Sequence, residues 1–210
     1  MITTLTVNYN TPDFLSRLVL SFRQFYDLPM LIVDGSSDSN YASIRHLLEY
    51  DVTIHHHDHN IHHGPGLAYG FRTIQTDQIL ILDSDLIVLN PGFVEDLQSK
   101  LSPDAYGIGD VQEVDSRGRN IKHGFRTRHG IKYLHPACAL INRHIALQYP
   151  MPIKHGAPMI ETMKEIDRQK LSSKLLQCES WVTNDFRNNE KIYICHDWQG
   201  TVKRTGGYHL

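Results

Sequence analysis

Two short apolar runs constrain this chain more than any other feature. Met30-Leu31-Ile32-Val33 stops at Asp34, and Ile79-Leu80-Ile81-Leu82, entered through Gln78, stops at Asp83. A short continuous apolar run bounded by polar residues reads as a strand buried on both faces, as in a parallel sheet covered front and back by helices. The neighbouring sequence supplies the helices. Residues 2–9 are rich in β-formers and end in Asn10-Thr11-Pro12, where Thr11 can cap a helix with Pro12 at its first position. Phe14, Leu18, Phe22 and Phe25 then recur at helical spacing, with Leu15 and Val19 beside them. Residues 41–50 read as a helix, 52–56 as a strand and 66–74 as a helix. Strand and helix alternate, which implies an α/β fold with a mostly parallel central sheet flanked by helices.

The second part of the chain is mixed. A helix is expected over 91–101. Strands and loops are expected over 106–114 and 121–133, around the charged turn Asp115-Ser116-Arg117-Gly118-Arg119. Residues 137–142 read as a strand, 158–171 as a helix and 191–195 as a last strand, before a polar, glycine-rich tail that a ligand could order. No repeat or linker divides the chain, and 210 residues suit one domain.

Composition narrows the function. With 40% hydrophobic and 21% charged residues the chain is globular. A net charge of -2 gives no general attraction to nucleic acid or anionic membrane, although a local basic face is compatible with it. Cys138, Cys178 and Cys195 are too scattered for a disulfide framework or a metal knuckle. The opening MITTLTVNYN lacks a basic stretch followed by an apolar run, and no segment approaches the ~18 apolar residues a membrane span needs. The expectation is a soluble, cytoplasmic protein.

In open α/β sheets ligands sit beyond the carboxyl ends of the strands. Three such ends carry polar residues here: Asn8-Tyr9-Asn10-Thr11, Asp34-Gly35-Ser36-Ser37-Asp38-Ser39 and Asp83-Ser84-Asp85. Two carboxylates at i and i+2, between apolar segments, cannot both be buried unpaired, and a divalent cation is a good partner for them. Alone, such a pair also fits solvated loop carboxylates or helix caps. Likewise Asp34-Gly35-Ser36-Ser37-Asp38 is good turn chemistry, with Asp38 a possible helix cap.

Taken together, these segments resemble the family-2-like glycosyltransferases of the GT-A (Rossmann-like) fold. The resemblance rests on residues 5–10 and the helix after them, residues 32–39, the glycine-rich stretch from Asn60 to Gly70, and residues 79–85; it is strong to about residue 95 and looser beyond. His196 followed by Gly200-Thr201 looks like the family's late histidine motif. The resemblance implies a single domain over 1–210. Residues 1–100 would form a nucleotide-binding half, and 101–210 a small mixed acceptor-binding half. It implies a nucleotide-sugar donor, usually UDP-linked, a hydroxyl acceptor and Mn²⁺ or Mg²⁺. Asn10, Thr11 and Pro12 would lie against base and ribose, and Asp34, with Ser36 in its loop, would accept a hydrogen bond from the base. Asp83 and Ser84 would sit near ribose and metal. Asp85 would ligate the metal, His196 would complete its site, and Lys203 or Arg204 would neutralise the diphosphate. Inversion needs a base for the acceptor hydroxyl. Glu161, in the helix opened by His155-Gly156-Ala157-Pro158, is the first candidate, with Glu165, Asp167 and Asp185 as alternatives and an ordinary first-turn carboxylate as the plain reading.

The stretch HHHDHNIHHGPGLAYG divides in two. Consecutive strand residues point to opposite faces, so His55 to His59 cannot converge on one ion. Gly64 and Gly66 fall where the family has a glycine-rich turn beside the nucleotide, His63 borders it, and Arg72 stands near the family's arginine, which is Tyr69 here. Trp181 and Trp198 could stack on a sugar, Arg126, Arg128 and Arg143 could meet phosphate, and His135 could line the donor or acceptor pocket; packing and solvated surface are the plain alternatives. A nucleotidyltransferase would carry a glycine-rich basic loop after the first strand, where this chain has Asn-Thr-Pro. A non-catalytic sugar-nucleotide-binding module sits poorly with Asp83, Asp85 and His196 intact. A saccharide, a protein or a modified base of viral DNA remain possible acceptors.

Overall fold

A computed structural model of the chain describes residues 1–121, 130–178 and 192–197, and the backbone of 182–183. The elements run in chain order β1 (Ile2–Asn8), α1 (Pro12–Arg23), β2 (Met30–Asp34), α2 (Asp38–Ile44), β3 (Val52–His56), α3 (His63–Thr73), β4 (Gln78–Leu82), β5 (Leu86–Val88), α4 (Phe93–Lys100), β6 (Gly107–Val114), β7 (Ile131–Asn142), α5 (Arg143–Ala146), α6 (Ile160–Arg168), β8 (Leu175–Gln177), β9 (Val182–Thr183) and β10 (Ile194–His196). The main sheet has the order β3-β2-β1-β4-β7-β6-β8, and a small sheet has the order β5-β10-β9. β3, β2, β1 and β4 are parallel, whereas β7 runs antiparallel to β4 and β6.

The apolar runs do what their pattern requires. In β2, Met30 and Ile32 enter the core on one face and Leu31 and Val33 the core on the other. In β4 the same division separates Leu80 and Leu82 from Ile79 and Ile81. The first face is covered by Leu15, Leu18, Val19 and Phe22 of α1 and by Phe93, Val94 and Leu97 of α4. The second is covered by Leu67 and Phe71 of α3 and by Met163 and Ile166 of α6. Burial on this scale, at roughly 25 cal/mol per Å² of apolar surface, is the main stabilising term.

Strand order places the site. The chain leaves β1 toward β2 and β3, then crosses back through α3 to β4 on the other side of β1. The switch between β1 and β4 opens a crevice at their carboxyl ends. Register aligns Asn8 with Asp34 and Asp34 with His56, so three strands finish side by side on polar residues.

Several local expectations shift. Thr11 does occupy the cap position of α1 with Pro12 following, but its hydroxyl donates to Asn8 Oδ1 (2.8 Å) rather than capping the helix. The cap of α2 is Ser37, not Asp38, and the expected helix over 41–50 is instead α2 followed by a 3₁₀ segment, Arg45–Tyr50. α3 starts at His63, earlier than its glycines suggest. Residues 131–142 form one strand through Pro136, because the pairing steps from Gly109–Ala139 to Val111–Leu134 and a bulge takes up the proline. Proline has no N–H for the ladder, and bulges absorb such a gap. The bulge has a use: Ala137 O accepts the Asp83 N–H (2.9 Å), which ties down the turn after β4.

Candidate active site

Asp83 and Asp85 flank the turn that leaves β4, and His196 ends β10, 111 residues beyond Asp85. The small sheet joins them. β10 pairs antiparallel with β5, setting His196 opposite Leu86, and the Asp197 N–H donates to Asp85 O (3.1 Å). His196 Nε2 lies 3.2 Å from Asp85 Oδ1 and 4.0 Å from Asp83 Oδ2. One ligand atom from each of the three residues falls within 4.8 Å of the others, which makes this a group able to hold a metal ion and the only such group among the described residues. Asp85 and His196 are buried and Asp83 is partly open. Two carboxylates and one imidazole suit a hard or borderline divalent cation such as Mg²⁺ or Mn²⁺. Burial opposes protonation of His196, but its hydrogen bond with Asp85 and the charges of Asp83, Asp85 and Asp197 outweigh it and raise its pKa.

The group opens into a pocket of about 590 Å³, within the range of small-ligand sites. Asn8 and Tyr9 line it from β1, His62 and His63 from the start of α3, and Tyr133 and His135 from β7. His63 Nε2 stands 3.4 Å from Asp83 Oδ1. His62 holds φ 62°, ψ 160°, a region nearly reserved for glycine, and its N–H donates to Asn60 Oδ1 (2.9 Å). Burial lowers the pKa of His135 against the pull of Asp83, and its Nδ1 accepts the Ala137 N–H (3.2 Å).

Asp34 closes β2 inside a network of hydrogen bonds. It is fully buried, and both of its oxygens are engaged. Oδ1 accepts from Asn8 Nδ2 (2.7 Å) and Ser36 Oγ (2.6 Å), and Oδ2 lies 2.8 Å from His56 Nδ1. His56 in turn stacks on Tyr41, with ring centres 3.9 Å apart. Ser36 Oγ also accepts the Asn10 N–H (2.8 Å), and Asn10 Oδ1 accepts the Ser37 N–H (2.9 Å). A buried carboxylate must be satisfied by hydrogen bonds. Here they tie the loops after β1 and β2 together. Thr11 is buried in the same network. Pro12 remains at the helix start beside it.

The glycines pack closely, and Arg72 lies apart from the pocket lining. A Cβ on Gly64 would stand 2.5 Å from Lys154 N and O, and one on Gly66 2.7 Å from Val7 Cγ1. Both residues are buried and pack α3 against the 151–158 segment and β1. Arg72 is exposed in the last turn of α3, away from the pocket lining. Glu161 does not line the pocket either. Its Oε1 accepts from Lys154 and Lys164 (2.9 Å each), which holds the carboxyl below its usual pKa and makes it a poor base. Glu165 is bound to Arg168, and Asp167 is an exposed α6 residue near Ser172. Ser84 is buried between the two aspartates and lines the pocket. Asp185, Lys203, Arg204, Trp181, Trp198, Arg126, Arg128, Gly200 and Thr201 lie outside the described residues.

The histidine run follows strand alternation. His55 Nδ1 lies 2.9 Å from Tyr69 Oη and the His57 ring meets the same tyrosine, while His56 turns to Asp34 on the other side. Sequence reasoning missed the roles of Asn60 and Gly35. A Cβ on Gly35 would stand 2.8 Å from His59 O, so the loop carrying Asn60 crosses directly over it. The signal was a glycine immediately after a strand-end aspartate, which also fits an ordinary turn.

Comparison with known proteins agrees with this geometry. Residues 3–160 match the family described as glycosyl transferase family 2. None of the curated proteins matches the chain in sequence. Among solved structures, the mannosyltransferase PcManGT from Pyrobaculum calidifontis, in complex with GDP-Man and Mn²⁺, superposes with a TM-score of 0.64 at 14% identity, over 85% of this chain and 55% of its own. Glucosyl-3-phosphoglycerate synthase from Mycobacterium tuberculosis, bound to UDP, gives 0.59 at 14% identity, over 84% and 69%. S. aureus TarS 1-349, in complex with UDP-GlcNAc, gives 0.57 at 12%, over 92% and 57%. The chain thus spans little more than half the length of the first and third of these proteins. At such identities the likeness establishes the GT-A fold. With three-quarters of its length matched by the family, this chain belongs to glycosyl transferase family 2.

Proposed function

We propose that the chain moves a sugar from a UDP-linked donor to a hydroxyl acceptor with inversion, using Mn²⁺ or Mg²⁺ held by Asp83, Asp85 and His196. The observation that carries this reading is the convergence of those three side chains at the strand switch point, on the wall of a pocket large enough for a nucleotide-sugar. When bound there, the cation would offset the negative charge that builds on the diphosphate as the glycosidic bond breaks. The protein's own part is positional. Asn8 and Tyr9 border the pocket at the end of β1, the Asp34 network fixes the loop that contains Asn10, and His63 stands beside Asp83. Lys203 and Arg204 would add positive charge near the diphosphate. Support for the donor class comes from relatives of the same fold, two described with UDP or UDP-GlcNAc and one with GDP-Man and Mn²⁺. The acceptor is a saccharide or other hydroxyl compound; the net charge of -2 does not favour nucleic acid. No helix among the described residues is long and apolar enough to cross a membrane.

Screening nucleotide-sugars for release of nucleoside diphosphate by mass spectrometry tests this reading. UDP release from one UDP-sugar, dependent on Mn²⁺ or Mg²⁺, is expected. Release from no nucleotide-sugar at all would overturn the reading, and release only from a GDP-sugar would correct the base.

A further inference from the structure

Of the three residues able to hold the cation, Asp83 has the least anchored side chain. Asp85 and His196 hold each other through a buried hydrogen bond of 3.2 Å. The Asp83 backbone is fixed, since its N–H donates to Ala137 O (2.9 Å), but among the described residues no hydrogen bond holds its carboxylate. That carboxylate stands between two imidazoles. Oδ2 lies 4.0 Å from His196 Nε2, and Oδ1 lies 3.4 Å from His63 Nε2. Oδ2 is thus the oxygen turned toward the rest of the cation set, and Oδ1 the oxygen left to His63. The His63 ring is itself outside the group of ligand atoms that lie within 4.8 Å of one another.

His63 is aimed there by a strained backbone. The residue before it, His62, holds φ 62°, ψ 160°, and three hydrogen bonds keep that turn in place. The His62 N–H donates to Asn60 Oδ1 (2.9 Å), the Gly66 N–H to His62 O (3.0 Å) and the Gly64 N–H to Lys154 O (3.0 Å). Side-chain exposures of 23% for His63 and 21% for Asp83 keep their contact mostly out of water, where a polar contact is stronger. Resting on the cation site proposed above, we propose that His63 is a positioning residue for Asp83. Its Nε2–H donates to Oδ1 and fixes the carboxylate with Oδ2 turned to the cation. The separation exceeds ordinary hydrogen-bond range by a few tenths of an ångström, so a small turn of either side chain completes the bond. Carboxylates that ligate metals are themselves held by hydrogen bonds, and loss of such a partner typically weakens metal binding by about 10–100-fold. The role needs an N–H at the reach of Nε2 rather than an imidazole as such, so the amide of glutamine can fill it.

The test is Mn²⁺ binding, with UDP present throughout, by the wild-type chain, His63→Ala and His63→Gln. Pulsed electron paramagnetic resonance of the bound Mn²⁺ counts the coordinated imidazoles. His63→Ala is expected to bind Mn²⁺ about 10–100-fold more weakly, and His63→Gln to stay within about three-fold of wild type. The wild-type spectrum is expected to show one coordinated imidazole, that of His196, and His63→Gln the same. Binding by His63→Ala within about three-fold of wild type overturns the proposal, as does a loss greater than about three-fold in His63→Gln. A second coordinated imidazole in the wild-type spectrum also overturns it, because His63 would then be a ligand. Should His63→Ala fail to fold, His63→Gln and the wild-type spectrum still decide. A wild-type chain that binds no Mn²⁺ in the presence of UDP refutes the cation site itself, and this proposal with it. Binding that Asp85→Ala abolishes and His63→Ala spares refutes the positioning role alone.

Discussion

Asp34 is a residue for which pattern and packing point to different roles. Its position after a buried strand marks it as a ligand-facing acid, and its bonds to Asn8, Ser36 and His56 make it a hub for the protein's own loops. The two roles predict different mutants. Asp34→Ala leaves a buried amide, a hydroxyl and an imidazole without their partner, and should destabilise the ligand-free protein by about 3 kcal/mol. A base-contacting role alone would leave that stability unchanged and lower only nucleotide affinity. Chemical denaturation without ligand separates the two. The sequence could not show this, because two of the three partners of Asp34, Asn8 and His56, come from strands β1 and β3, which only the fold brings alongside. His55, His56 and His57 were more legible, since strand alternation alone forbids their convergence on one ion.

Among the elements, α3 and α4 each carry a close contact that a single substitution can test. α3 packs so closely that Gly64 leaves no room for a methyl group beside the Lys154 backbone. Gly64→Ala should therefore push the 151–158 segment away and cost about 1–3 kcal/mol, read as a lower melting temperature. If stability is unchanged, the close approach is not required. At the start of α4, Tyr26 Oη accepts the Gly92 N–H (2.7 Å). Burial first, and Glu95 next to it, raise the Tyr26 phenol from 10.0 to about 12. The neutral phenol is therefore favoured on folding; its contribution is complete below pH 10 and is lost as pH rises toward 12. Tyr26→Phe should cost about 1 kcal/mol at neutral pH and reduce the fall in stability across that alkaline window, as followed by denaturation at stepped pH. The apolar runs of β2 and β4 and the period of α1 were readable because each pattern is local. The bulge at Pro136 was not, since it depends on the partner strand β6, and residues 121–133 and 137–142 therefore read as separate pieces.

At the scale of the molecule, the sheet order brings the ends of β1 and β4 to one crevice, and the small sheet carries His196 back to Asp85. The parallel half of the fold followed from alternating strand and helix patterns, because parallel strands need covered faces and crossover helices. The pairing of β5 with β10 did not: each is three residues long and they stand more than a hundred residues apart, so no local pattern announces it. The family resemblance, rather than periodicity, pointed to His196. Its role belongs to the assembled sheet, so His196→Ala should keep the fold and lose most of the stabilisation by Mn²⁺, measured as a melting shift against wild type. The central claim is that Asp83, Asp85 and His196 together hold a cation that supports nucleotide binding. Calorimetric titration of UDP into wild type and Asp85→Ala, each with and without Mn²⁺, tests it most directly. The account predicts Mn²⁺-dependent UDP binding to wild type that Asp85→Ala abolishes; equal binding to both proteins, or binding indifferent to Mn²⁺, would contradict it.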